Sequence, residues 1–159
     1  MKAVFGLPYY SKNGVIGAPA HGRYVYFSDP KTAHAICAIL NSSLFYAYFI
    51  AYSDCFHLSD GLVSRFPLAR NVVEDITLVR LNERLMEDLR AGAEEKTINT
   101  RDGDAITYAE YYASKSKPII DEIDLLLAKH YGLSDEERDF IVNYDHKFRM
   151  GLDELKGEA

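Results

Sequence analysis

The start of the chain contains short apolar runs of the kind that form strands. Three runs rich in Val, Ile, Tyr and Phe, separated by turn residues, occupy residues 3–7, 14–16 and 23–27. Asn13 and Gly14 form a two-residue hairpin signal, because both residue types tolerate a positive φ. The pattern therefore predicts a small N-terminal β element.

The next apolar run has the length and capping signals of a helix. Asp29 is suited to an N-cap and Pro30 to the first helical position. Residues 30–52 are apolar nearly all round, which predicts a helix buried in the middle of the fold. The polar residues 41–43 predict a break into two shorter helices, and residues 53–68 are expected to form a loop.

Helical periodicity dominates the remainder of the chain. Asn71 and Glu74 have the spacing of a capping box, ahead of a leucine stripe formed by Leu78, Leu81, Leu85 and Leu89. Residues 91–103 are charged and contain glycine, so we expect a surface linker there. Thr107 and Glu110 have capping-box spacing too, and they predict a helix with Tyr108, Tyr111 and Tyr112.

Two further helices are expected near the end of the chain. Pro118 suits a first helical position, and Gly132 suits the C-cap that closes that helix. Ser134 and Glu137 form a capping box for a last helix ending near Asn143. The expected fold class is α+β, with a small N-terminal β element followed by a predominantly helical body. We divide it into residues 1–70 and 71–159, expected to form one compact domain.

Charge is spread unevenly along the chain and limits which part can face a polyanion. The 159 residues carry a net charge of -6, and 48% of them are hydrophobic, which is enough for a core. Residues 1–70 hold six Lys and Arg against three acidic residues, a charge of +3; residues 71–159 hold 12 against 21, a charge of -9. The first part could therefore approach nucleic acid, whereas the second would be repelled by it.

Signals for catalysis or membrane insertion are weak. The sequence has no glycine-rich phosphate loop, zinc-ligand spacing or nucleophile elbow, and no apolar run of membrane-spanning length. Asp121 and Glu122 are interpreted as helix-start carboxylates, and His130 as a cation suited to a helix end. The two cysteines, Cys37 and Cys55, are expected to be reduced thiols of a cytoplasmic protein. These features predict a binding or structural module rather than an enzyme.

Two stretches resemble a known family. The first combines LNSSLFY at 40–46, YSDCFHL at 52–58 and RFPL at 65–68; the second comprises 117–124, 128–133, 139–145 and 149–151. Both resemble the C-terminal specificity region of type II restriction-modification N6-adenine DNA methyltransferases. The resemblance implies sequence-specific recognition of double-stranded DNA while another part of the enzyme rotates the adenine out of the duplex.

The resemblance also implies what this chain lacks. The family's catalytic Asn-Pro-Pro-Tyr/Phe motif and its glycine-rich S-adenosylmethionine loop do not occur in the sequence. We therefore expect a C-terminal fragment with neither catalysis nor a cofactor of its own. Its partners would be DNA and an upstream methyltransferase part that binds S-adenosylmethionine, with or without a fused endonuclease.

The candidate DNA-binding residues lie in the β element and in the loop 53–68. Lys and Arg can contact guanine, Asn can contact adenine, and Ser can hold phosphate. The candidates are Lys12, Asn13, Arg23, His57, Ser59 and Arg65.

Each candidate also has an ordinary structural interpretation. Asn13 suits a turn, Lys12 suits a solvated position, Arg65 could pack on Phe66, and His57 could bond within the loop. The alternative function is a helical scaffold that docks on the catalytic part, motivated by the acidic 71–159 part.

Overall fold

The computed structural model of the chain describes residues 6, 9–17 and 24–144. Seven helices and four short strands lie within these residues, so the expected α+β class with a predominantly helical body is confirmed. The elements are β1 Tyr10–Lys12, β2 Val15–Ile16, α1 Pro30–Asn41, α2 Ser43–Tyr52, α3 Asp60–Arg65, α4 Arg70–Val73, α5 Ile76–Ala91, β3 Glu94–Asn99, β4 Ala105–Glu110, α6 Lys117–Tyr131 and α7 Asp135–Asn143.

The strands form one antiparallel sheet in the order β2-β1-β4-β3. The hairpin turn predicted at Asn13 and Gly14 is confirmed, with φ 52° and φ 79°. It joins the predicted strand β2 to β1, which the sequence pattern did not predict. Of the other two predicted strands, most of 3–7 lies outside the described residues, as does residue 23. Residues 24–27 lie outside every strand, so that prediction is wrong for them. Among the described residues no strand is paired with this segment.

The prediction of a linker at 91–103 and a helix after Thr107 is wrong, because the chain forms the hairpin β3–β4 there. Thr107 is paired across the strands with Thr97, their hydroxyls 2.9 Å apart, rather than capping a helix. Glu110 forms an ion pair with Lys96 on the same hairpin. Thr107 and Glu110, which have capping-box spacing, therefore contact the neighbouring strand instead of capping a helix.

The predicted break in the apolar helix is confirmed at Ser42, where α1 and α2 meet at 65°. The hydroxyl of Ser42 accepts a hydrogen bond from the Phe45 amide at 3.1 Å and so caps α2. Asp29 caps α1 as expected, accepting from the amides of Lys31 and Thr32. Within the described residues no single helix could span a membrane, although α1 and α2 together meet the length and composition required.

The capping box expected at Asn71 and Glu74 is wrong. The long helix α5 starts later, and Asp75 is its N-cap, accepting from the Thr77 amide at 2.7 Å. Asn71 lies in the short helix α4 and contacts His130 instead. The leucine stripe itself is confirmed, because all four leucines are buried.

The core lies between α1, α5 and α6, joined by α2 and by residues that follow α3. Its largest fully buried side chains are Phe45, Phe49, Ile39, Leu78, Leu85, Ile123 and Leu127. Residues from both 1–70 and 71–159 contribute to it. The ends of the last two helices agree with prediction: Gly132 closes α6 at φ 65°, and Ser134 with Glu137 forms the capping box of α7.

Candidate nucleic-acid interface

Residues 53–65 form a turn followed by the helix α3, which we call the turn–helix unit. A plain loop was predicted here, so α3 is a correction. Ser53 accepts a hydrogen bond from the Cys55 amide at 2.9 Å. Asp54 Oδ1 accepts from the amides of Phe56 at 2.9 Å and His57 at 2.7 Å. Short polar side chains thus bond the backbone that follows them and hold the turn in one conformation.

The carboxylate of Asp54 also holds the imidazole of His57. Their Oδ2 and Nδ1 atoms are 3.0 Å apart. The hydrogen bonds from the His57 amide, from its ring and from the Phe56 amide lower the pKa of Asp54 well below its ordinary range. Asp54 therefore remains ionised throughout the neutral range, and the turn retains its acceptor.

The turn presents two rings to solvent. The side chain of His57 is 74% exposed, and Phe56 is 82% exposed. Their ring centroids are 4.7 Å apart in an edge-to-face arrangement. Cys55, between the turn's acceptors and these rings, has φ 59°, which is uncommon for a residue with a side chain.

The helical part of the unit is anchored to the core. Ser59 caps α3 by accepting from the Leu62 amide at 3.2 Å. Leu62 is buried, and so is Phe66, which packs edge-on against Phe45 with ring centroids 5.5 Å apart. Arg65 is exposed in the last turn of α3. The structure therefore brings three predicted residues, His57, Ser59 and Arg65, onto one anchored unit.

The predicted candidates of the β element have intramolecular partners. Lys12 Nζ lies 2.5 Å from Asp104 Oδ2, and this hydrogen-bonded pairing raises the pKa of Lys12. The side-chain Nδ2 of Asn13 donates to Asp104 Oδ1, and its Oδ1 accepts from the backbone N–H of Ala105, both at 2.8 Å. These two side chains join the β1–β2 turn to the β3–β4 hairpin. Arg23, the remaining candidate, lies outside the described residues.

Acidic residues of α6 have separate partners rather than one shared site. Asp121 is paired with Lys117. Glu122 accepts a bidentate pair of hydrogen bonds from Arg84, at 2.7 and 3.0 Å. Asp124 accepts from the Ser43 amide at 2.8 Å. Within the described ranges no group of three His, Cys, Asp or Glu side chains is placed to hold a metal ion.

The two thiols lie in different surroundings, Cys37 partly buried and Cys55 exposed. Burial raises the pKa of Cys37 to about 11, so this thiol remains protonated. The Sγ of Cys55 is 3.6 Å from the backbone oxygen of Ile50.

A shallow apolar hollow of about 260 Å³ lies between α2 and the residues that follow α3. Its walls include Tyr48 and Phe66, whose rings are perpendicular with centroids 5.1 Å apart. Tyr131 closes one side, and its hydroxyl donates to the backbone oxygen of Pro67 at 2.7 Å. Because the lining is almost entirely apolar, a ligand in the hollow would find hardly any hydrogen-bond partners.

Two residues of this candidate interface were not predicted from the sequence. They are Asp54, whose carboxylate bonds the backbone of the turn, and Phe56, its most exposed ring. The available signal was Ser53-Asp54, since both residue types bond the backbone that follows them in turns.

Comparison with known proteins gives no match: no family model, no curated protein and no solved structure is similar. A functional assignment therefore depends on the chemistry of the residues themselves.

Proposed function

We propose that this chain recognises target sites on double-stranded DNA as the C-terminal recognition part of a restriction-modification adenine methyltransferase. The observation that carries the proposal is the turn–helix unit, which presents Phe56, His57 and Arg65 outward from an anchored backbone. A guanidinium supplies donors for base edges and phosphates, and the Nε2 of the imidazole supplies an acceptor for base amino groups. A fixed backbone reduces the entropy that such side chains lose on binding.

The chemistry of methylation belongs to a separate part of the proposed enzyme. That part would bind S-adenosylmethionine and take the adenine out of the duplex, while this chain holds the register on the flanking bases. The protein would act in the bacterial cytoplasm, where cellular DNA lies. Under this proposal no catalytic role falls to the residues of this chain.

The ion pairs of the chain decide which cations remain available for DNA. Lys12 is neutralised by Asp104, and Arg84 by Glu122. Arg65 is exposed and has no ion pair within the described part of the chain. The sheet residues Lys12 and Asn13 therefore support the fold, and the proposal depends chiefly on the turn–helix unit together with Arg23.

A double variant tests the proposal. We expect Arg23→Ala with Arg65→Ala to weaken binding of a fluorescently labelled duplex by about thirtyfold, because the two lost phosphate or base contacts together contribute on the order of 2 kcal/mol. Fluorescence anisotropy at low salt measures it. The matched control is Arg84→Ala, whose guanidinium is held by Glu122 and should leave affinity unchanged. Equal affinity of the double variant and the wild type would contradict DNA recognition by these residues.

A second candidate function, docking on the catalytic part, is favoured by a different observation. The helix α7 has no buried residue and carries Phe140, which is 67% exposed and lies beside Tyr144. Exposed aromatic surface of this kind is common where proteins associate. Docking predicts that Phe140→Ala weakens binding to the separately produced methyltransferase part, measured by calorimetry, without changing DNA affinity. No effect of Phe140→Ala on that association would remove the support for docking through α7.

A further inference from the structure

Phe56 differs from the phenylalanines that form the core. Phe45 and Phe49 are fully buried and Phe66 is 7% exposed, whereas Phe56 is 82% exposed. Leaving a ring of this size in water forgoes roughly 1.5–3 kcal/mol of burial free energy. The backbone that carries the ring is held in place, since the Phe56 N–H donates to Asp54 Oδ1 at 2.9 Å.

We propose that Phe56 is a wedge that enters between adjacent base pairs of duplex DNA. This inference rests on the proposed function and adds to it a contact with the stacked bases. Apolar side chains inserted at a base step unstack it partially and bend the duplex, which lets flanking polar groups reach the DNA.

The surroundings of Phe56 fit a base step better than an apolar protein surface. Exposed polar side chains flank it on the turn–helix unit, with Asp54 before it and His57 and Ser59 after it. A protein-docking patch is expected to be a contiguous apolar area instead. A single ring with polar neighbours can insert among bases while those neighbours bond the DNA.

His57 is placed to act beside the wedge. Its Nδ1 is held by Asp54, and its ring lies edge-to-face with Phe56. Within the described residues its Nε2 has no hydrogen-bond partner. When the ring inserts, Nε2 can accept a hydrogen bond from a base amino group at the same step, which fixes how deep the wedge goes.

Other exposed aromatic side chains have a different arrangement. Tyr24 lies beside Tyr26, and Phe140 lies beside Tyr144. Each of these pairs joins two phenyl or phenol rings, whereas Phe56 is paired with the more polar imidazole of His57. Phe140 is consequently a matched control, a similarly exposed phenylalanine without the polar turn.

The test compares affinity for a paired duplex with affinity for the same duplex carrying one central mismatch. A mismatch lowers the cost of unstacking, so a wedge should favour it. We expect the wild-type chain to bind the mismatched duplex about tenfold more tightly in fluorescence anisotropy. Phe56→Ala should remove that preference, Phe56→Leu should retain part of it, and Phe140→Ala should keep it in full.

The outcomes separate this inference from the proposed function. A wild-type chain that binds both duplexes without preference, or Phe56→Ala with an unchanged preference, would overturn the wedge and leave DNA recognition standing. A wild-type chain that binds neither duplex at low salt would overturn both. Circular dichroism of each variant verifies its fold, which we expect to be intact because the Phe56 ring lies outside the core.

Discussion

Asp124 is a charged side chain on the core-facing side of α6. It is 4% exposed, and its Oδ1 accepts the backbone N–H of Ser43, the first residue of α2. The first N–H groups of a helix have no partner within that helix, and the positive end of the helix dipole attracts a carboxylate. Asp124 therefore joins α6 to the start of α2 at the bend between α1 and α2.

We expect Asp124→Ala to lower the free energy of unfolding by about 1–3 kcal/mol, because a buried N–H then loses its acceptor. Urea unfolding followed by circular dichroism measures the change. The control is Glu122→Gln on the same helix, where the pair with Arg84 is solvent-exposed and its loss should change stability little. Equal effects of the two substitutions would argue against a capping role for Asp124.

Asn13 permits a test that separates a structural role from DNA contact. Its amide makes two hydrogen bonds to the β3–β4 hairpin, and its φ is 52°. We expect Asn13→Ala to reduce stability by about 1–2 kcal/mol, since it loses these bonds and forces Ala into the left-handed region. Asn13→Gly removes the same bonds without the backbone strain, and should cost less.

Urea unfolding and DNA anisotropy on the same Asn13 variants decide between the roles. If Asn13 has a structural role, Asn13→Ala lowers stability more than Asn13→Gly does. Neither variant then changes the affinity of the folded protein for DNA. Lost DNA affinity at unchanged stability would instead assign Asn13 to the DNA contact that the sequence suggests.

Among the secondary-structure elements, α6 and α5 are joined at their ends by His130 and Asp75. His130 Nε2 lies 2.7 Å from Asp75 Oδ2, while Asn71 donates to Nδ1 at 3.2 Å. These partners fit a ring with its proton on Nε2. The carboxylate that caps α5 thus also fixes the end of α6.

The pKa of Asp75 implies a pH dependence of stability. Burial alone would raise it, but the hydrogen bonds from His130 and Thr77 outweigh burial and keep it below the ordinary value of 3.8. A lowered pKa in the folded state stabilises the fold above pH 3.8, and this contribution is lost as the pH falls through the folded-state value.

We therefore expect Asp75→Asn to destabilise the protein at pH 7, and to destabilise it progressively less between about pH 5 and pH 2. Urea unfolding at each pH measures the difference in stability between Asp75→Asn and the wild type. The control is Asp102→Asn in the exposed β3–β4 turn. A difference that is constant across this range would show that the charge of Asp75 contributes nothing.

How much could be predicted differs between the helices and the sheet. The break at Ser42, the stripe of α5 and the Gly132 cap were predicted correctly, because caps and 3.6-residue periodicity are local properties. The hairpin β3–β4 was missed because Thr107 and Glu110 have capping-box spacing, and because β3 is exposed at every position. Asp102-Gly103 in its turn was the overlooked hairpin signal.

The candidate site was only partly predictable for a related reason. His57, Ser59 and Arg65 are close in sequence, so grouping them required no knowledge of tertiary contacts. That Asp104 binds Lys12 and Asn13 depends on pairing between β1 and β4, which are far apart in the chain. Nothing in the local pattern around residue 12 indicates that partner.

At the scale of the whole molecule, the uneven charge sets the expected salt dependence of DNA binding. The cations of the first part are Lys2, Lys12, Arg23, Lys31, Arg65 and Arg70. Lys12 is paired with Asp104, and Arg70 is 4.0 Å from Glu74. If the other four all contact phosphate, about four counterions are displaced, while the 71–159 part, with its charge of -9, opposes close approach.

The logarithm of the binding constant should therefore fall against the logarithm of salt concentration with a slope of about -2 to -4, since each phosphate neutralised contributes about -0.9. Anisotropy titrations over rising salt give this slope. Arg65→Ala should make it shallower by about 1, whereas Arg80→Ala on α5 should leave it unchanged because that cation lies in the acidic part. A slope much steeper than -4, or one that depends on Arg80, would mean that DNA contacts the C-terminal part as well. The duplex would then lie across both parts, and recognition could not be assigned to the turn–helix unit alone.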